Sequence, residues 1–133
     1  MVIDTSALLA ILEHEPERRV FLEAIEAADS RRMSVASFLE VSIVAERRRG
    51  ALGLAAVDHF ISSAGIELVA VDVEQGRAAR AAFSRFGKGR HRAALNCGDC
   101  FSYVLASVLG EPLLCKGDDF VHTDIALTRG ATG

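Results

Sequence analysis

The chain has 133 residues, half of them apolar and a quarter charged, with a formal net charge of −3. That suits a single domain over residues 1–133. It excludes a disordered chain, which lacks the apolar surface to offset the entropy of ordering. No stretch approaches the roughly 18 consecutive apolar residues of a membrane span, and Met1-Val2-Ile3-Asp4-Thr5-Ser6 has no basic-then-apolar leader pattern; three cysteines, an odd number, do not suggest a disulfide framework, so a cytoplasmic protein is expected.

In chain order, short apolar runs alternate with longer helical stretches. Residues 1–3 read as a β-like start running into Asp4, and residues 7–12 as a first helix. Pro16 is placed to open a second, carrying Val20, Phe21, Leu22 and Ile25, which Asp29-Ser30-Arg31-Arg32 ends. Residues 33–36 suggest a second strand, followed by Ser37 as the cap of a helix through Phe38, Leu39, Val41, Ile43, Val44 and Ala45. Arg47-Arg48-Arg49-Gly50 is a stop signal, because cations suit the negative end of a helix and glycine the turn beyond it. A separate helix is expected over 54–63, closed by Gly65. Residues 66–71 are the clearest strand, rich in β-branched side chains. Residues 73–86 read as helix, 87–92 as loop, 100–109 as an apolar helix and 113–115 as a last short strand.

Strands separated by helices predict an α/β fold with a parallel sheet, since parallel neighbours need crossover connections. Such a sheet gathers functional residues at the carboxyl ends of its strands. Asp4 directly follows the first strand, Glu40 lies in the first turn of the helix after the second, and Asp118 and Asp119 follow the last. Asp99 stands at the start of an apolar helix. Two carboxylates about 4 Å apart repel by on the order of 4 kcal/mol at an effective dielectric of 20. Several together therefore require protonation or a cation among them. Oxygen-only ligands suit Mg²⁺ or Mn²⁺, which can activate water toward a phosphodiester.

Each acid also has a purely structural reading. Ser37-x-x-Glu40 fits a capping box, Asp99 fits a helix start, Asp118-Asp119 after Gly117 fits a solvated turn, and Asp4 fits an N-cap. Position alone leaves both readings open.

At these residues the sequence resembles the PIN-domain ribonucleases, specifically the VapC-type toxins of bacterial toxin–antitoxin pairs. Met1-Val2-Ile3-Asp4-Thr5-Ser6-Ala7 matches the first acidic motif and Ser34-Val35-Ala36-Ser37-Phe38-Leu39-Glu40 the second. Asn96-Cys97-Gly98-Asp99-Cys100-Phe101-Ser102-Tyr103, led by Ala94-Leu95, matches the third. Pro112-Leu113-Leu114-Cys115-Lys116-Gly117-Asp118-Asp119-Phe120, followed by Thr123-Asp124-Ile125, matches the fourth. The motifs keep family order across nearly the whole chain. The resemblance implies a short parallel sheet wrapped by helices, Mg²⁺- or Mn²⁺-dependent endoribonuclease activity on structured RNA such as transfer or ribosomal RNA, inhibition of translation and growth, and a cognate antitoxin as partner. Carried over by position, Asp4 and Asp99 are the principal metal ligands, with Glu40 completing the set directly or through water. Asp119 is the fourth catalytic acid, with Asp118 as the alternative, and Thr5, Ser6 and Asn96 are supporting residues.

The remaining features are read from the residues. Between Glu74 and Asp99 no acid occurs, while Arg77, Arg80, Arg85, Lys88, Arg90 and Arg92 do. This segment is the candidate for gripping RNA phosphates, against the alternatives of a solvated face or an antitoxin contact. Cys97-x-x-Cys100 invites a redox reading, though buried small hydrophobes suit the cysteines better. Apolar residues beyond one strict face over 20–27 and 54–61 suggest a groove for an antitoxin helix or the interface of a homodimer. The competing function is a non-catalytic regulator that keeps the fold and binds RNA or protein without cutting.

Overall fold

The computed structural model describes residues 1–128. Strand β1 (Val2–Ile3) leads into helix α1 (Thr5–Leu12), and α2 (Arg18–Ala27) follows. Then come β2 (Arg32–Ser34), the long α3 (Val35–Ser63), β3 (Glu67–Val69), α4 (Val73–Phe86), α5 (Cys97–Leu109) and β4 (Leu113–Leu114). The four strands form one sheet in the order β3-β2-β1-β4, every pair parallel. Because the order turns back at β1, the chain leaves β1 and β4 in a crevice between neighbouring strands, the place where an open α/β sheet binds its ligands.

The sheet is a middle layer because its strands bury both faces. Val2 and Leu113 pack with α4 and α5, among Ala82, Phe86, Val104 and Leu105. Ile3 and Leu114, one residue on, pack with α1, α2 and α3, among Leu8, Ile11, Phe21 and Val41. The two-residue period of a strand thus feeds two apolar layers from one short sequence. Among the described residues no helix is long and apolar enough to cross a membrane.

Several element boundaries differ from the expectations. The second strand ends at Ser34, and Val35 and Ala36 are helical. Ser34 is the residue with extended backbone whose hydroxyl accepts from the Ala36 N–H, so it and not Ser37 caps α3. Glu40 therefore lies in the second turn, and the capping-box reading of Ser37-x-x-Glu40 falls away. The Arg47-Arg48-Arg49-Gly50 run ends the first helical stretch of α3, as expected, but the second begins directly after it rather than at residue 54. Gly50 takes φ 61° and ψ −141°, a kink across which helical structure resumes at once. Three residues on, a Cβ at Gly53 would stand 2.1 Å from the Ala45 carbonyl oxygen, so the two halves of α3 meet there through a bare glycine backbone. The third strand is shorter than residues 66–71, the fourth stops at Leu114, and α5 starts at Cys97 rather than at residue 100.

Candidate active site

Asp4 leaves the carboxyl end of β1, where its N–H still donates to the Leu114 carbonyl of β4 at 2.9 Å. Its carboxylate then caps α1, accepting from the Ser6 N–H at 3.0 Å and the Ser6 hydroxyl at 2.6 Å. The other oxygen accepts from the Ser102 hydroxyl of α5 at 2.5 Å. Ser102 lies 3.1 Å from the Ser37 hydroxyl of α3, and the Thr5 hydroxyl donates to the Ser37 carbonyl. The Lys116 N–H, just past β4, donates to the Ser6 hydroxyl at 2.9 Å. Buried hydroxyls thus lock α1, α3, α5 and the loop after β4 around one carboxylate that is itself only 4% exposed.

Asp99 is the third residue of α5 and closes a capping box. Asn96 accepts from the Asp99 N–H at 2.8 Å, and Asp99 Oδ2 accepts from the Asn96 N–H at 3.0 Å. Asn96 is therefore the residue that aims Asp99. The Asp99 carboxyl is pushed up to about 7, first by burial, then by the nearby charges of Asp4, Asp119 and Glu40, against the Asn96 N–H, which lowers it.

Glu40 comes in from α3, half-buried. Its carboxylate rests on Gly98, where an added Cβ would lie 2.3 Å from Oε2. Asp118 and Asp119 are exposed in the loop after β4. Asp119 is among the charges that raise Asp99, whereas Asp118 acts with it only on Cys115. Four carboxylates from four parts of the chain thus share one end of the sheet. Among the described residues no three His, Cys, Asp or Glu side chains are gathered closely enough to hold an ion as they stand. The donor set is nonetheless all hard oxygen, which fits Mg²⁺ or Mn²⁺ rather than a soft metal.

The cationic residues divide. Arg77, Arg80 and Arg85 are exposed on α4, and Lys88, Arg90 and Arg92 are exposed on the loop that follows. Arg85 pairs with Asp124 at 3.3 Å and lies over the Phe86 ring. Asp124 also accepts from the Tyr103 hydroxyl at 2.5 Å, so Arg85 helps fasten the segment after β4 onto α5. Among the described residues the other five make no ion pair. The Cys100 thiol is pushed up to about 11 by burial, then by Asp99 and Cys97. That is the opposite of what a reactive dithiol needs.

Sequence reasoning gave no role to Ser102 or Gly98, and a different one to Ser37. Ser102 had a signal, since it stands one helical turn after Asp99 on an otherwise apolar face. Ser37 was assigned to a cap that Ser34 provides.

A PIN domain family model matches residues 1–126. Ribonuclease VapC30 of Mycobacterium tuberculosis is 56% identical over 126 residues, spanning 95% of this chain and 96% of the relative. Ribonuclease VapC of Mycolicibacterium smegmatis is 54% identical over 126 residues, spanning 95% and 98%. Among solved structures, the sarcin–ricin-loop-cleaving toxin VapC20 of Mycobacterium tuberculosis superposes with a TM-score of 0.78 at 15% identity, covering 96% of this chain and 98% of that one. A toxin–antitoxin complex from Klebsiella pneumoniae gives 0.72 at 16% identity, covering 96% and 95%. The structural neighbours speak for the fold, and the sequence relatives for the family. The chain belongs to the PIN-domain family and, within it, to the VapC ribonucleases.

Proposed function

We propose that this protein is the toxin of a toxin–antitoxin pair, a divalent-metal endoribonuclease that cuts structured RNA at the Asp4–Glu40–Asp99–Asp119 cluster. The observation that carries the reading is the convergence of Asp4, Glu40, Asp99 and Asp119 at one end of the sheet, where Asp99, buried and held by Asn96, has the other three acids near enough to push its carboxyl up. A fold keeps such a group at a stability cost when the site has work for it. A bound Mg²⁺ or Mn²⁺ would supply Lewis acidity toward water and the scissile phosphate. Asp4 and Asp99 would hold it, with Glu40 completing the set. Asp4 is kept in place by Ser6 and Ser102, and Asp99 by Asn96, so the principal ligands are oriented before any ion arrives. Glu40 and Asp119, less buried, are free to adjust and to orient the attacking water. The cations of the 77–92 segment other than Arg85 would draw the RNA backbone toward this end of the sheet.

An antitoxin partner is supported by the solved neighbours, among them VapBC2 of Rickettsia felis bound to a promoter DNA fragment. Homodimerisation is proposed with it. Val35, Leu39 and Ile43, one turn apart on α3, are exposed and apolar, and they suit a protein contact. Cytoplasmic action on transfer or ribosomal RNA, with arrest of translation, completes the proposal.

The test is cleavage of cellular RNA by the purified protein with Mg²⁺ or Mn²⁺, against an EDTA control, with the ends mapped. Attack by water leaves a 5′-phosphate and a 3′-hydroxyl. That outcome is expected of an all-carboxylate set suited to metal-activated water. Cleavage that survives EDTA, or products ending in 2′,3′-cyclic phosphate, would overturn the mechanism.

A further inference from the structure

The first turn of α5 has two sides. Successive helical residues are about 100° apart, so Gly98 and Asp99 share one side, facing the acids. Cys97, Cys100 and Phe101 share the other. On that second side a groove of about 430 Å³ opens between α4 and α5. Cys100 and Ala79, both buried, line it together with Phe83 and Phe101. Phe83 is 37% exposed although it stands in the middle of a helix otherwise docked through Ala79, Ala82 and Phe86. Arg80 also lines the groove, with its charge in solvent. Among the described residues neither Arg80 nor Arg77, one turn before it, is neutralised by an acid.

We propose that this groove is a base-binding subsite, taking a nucleobase of the RNA strand beside the phosphate presented to the acid cluster. The inference rests on the ribonuclease reading and adds to it a place where the substrate is held. The chemistry is that of a base taken out of its stack. Two phenyl rings and an apolar floor accept a flat π-face, and a guanidinium stacks on the base or pairs with the adjoining phosphate. Position favours RNA over another occupant. The groove and the acids flank the first turn of α5, and Arg80 lines the groove from α4 with Arg77 one turn before it, so a strand crossing the cluster has its charge matched where its base enters.

The test uses the full-length protein and a single-stranded RNA carrying 2-aminopurine at successive positions, in EDTA so that nothing is cut. At one position the fluorescence should be quenched on binding by wild type and by Phe83→Tyr, which keeps the ring. Phe83→Leu, which keeps the apolar surface but removes the π-face, should lose the quench and weaken binding roughly tenfold. In Mg²⁺ the same variant should raise KM by a similar factor with kcat little changed. Cys97, exposed where Cys100 is buried, should be shielded from alkylation by RNA. Unchanged quenching and KM in Phe83→Leu, or unhindered alkylation of Cys97, overturn the subsite. Loss of antitoxin capture or of dimer with RNA binding intact assigns the groove to a protein and equally overturns it. Failure of the ribonuclease reading is separately visible, as RNA bound and quenched but never cleaved in any divalent metal.

Discussion

The carboxylate of Glu40 occupies the space that a side chain at residue 98 would fill, with its Oε2 2.3 Å from the position of a Gly98 Cβ. The glycine in the third motif is thus the seat of an acid from a helix some sixty positions earlier, and helix geometry alone does not require it.

Gly98→Ala should separate function from stability. The obstructed atom is the far end of a flexible side chain, so Glu40 can swing aside while the backbone stays. Alanine is also the better helix former by up to about 1 kcal/mol. Unfolding in urea should show stability unchanged or slightly raised, while RNA cleavage falls at least as far as in Glu40→Gln. The double variant should lose little more than either single one. A fully active Gly98→Ala protein would show that the position of Glu40 does not matter.

Asp99→Asn should abolish cleavage and change how stability depends on pH. Its carboxyl is raised from the ordinary 3.8 to about 7, so the neutral form is the one the fold prefers. The stability this provides is complete below about pH 4 and is lost as pH rises through about 7. Asparagine stays neutral, and in EDTA at about pH 8 the variant should be the more stable by up to a few kcal/mol. At about pH 4 that advantage should vanish. Urea titrations at the two pH values measure this. A variant less stable than wild type at the higher pH would mean that Asp99 is not strained by its neighbours.

Ser102→Ala removes the hydroxyl that donates to Asp4. A hydrogen bond to a buried charge contributes about 1.5–3 kcal/mol, and the loss should appear as a lower urea midpoint with an unchanged m-value. Cleavage should drop as well, because Asp4 keeps only Ser6 to orient it. Normal stability and activity in this variant would dissolve the hydroxyl web as an organising element.

The loop cations make a prediction about salt. Replacing Lys88, Arg90 and Arg92 by Gln should weaken RNA binding across sequences. If all three touch phosphates of a single strand, the slope of log affinity against log salt should shrink by about 2. Arg85→Gln should affect the slope less, since Asp124 already holds that guanidinium. An unaltered slope in the triple variant would move the RNA path elsewhere.

Much of this was legible in the chain, for reasons that differ by element. β1 and β4 are two apolar residues each, the first running straight into Asp4 and the second reaching Asp118 and Asp119 through Cys115-Lys116-Gly117, so the acids fall past a strand's carboxyl end. The α3 boundaries were misread because local signals competed. Ser37 reads as a cap after a strand over 33–36, but the extended backbone stops at Ser34, which caps α3, and Ser37 lies inside the first turn, buried against Ser102. The Arg47–Gly50 stop was legible because cations and a glycine mark a helix end locally; that a second helix follows at once, with Gly53 packed back on Ala45, is decided by tertiary packing. At the site, acids were visible as acids, and the family resemblance supplied Thr5, Ser6 and Asn96 beside them. Ser102 was not visible, because a buried serine hydroxyl looks like any serine until its acceptor from another part of the chain is known.

The claim beneath all of this is that Asp4 and Asp99 bind a divalent cation between them. Crystals of the protein soaked in MnCl₂ and measured at a wavelength where manganese scatters anomalously would show it directly. The account predicts one strong peak in contact with carboxylate oxygens of Asp4 and Asp99 and absent from Asp99→Asn crystals. A peak elsewhere, or none in crystals of protein that cuts RNA in the same buffer, would contradict it.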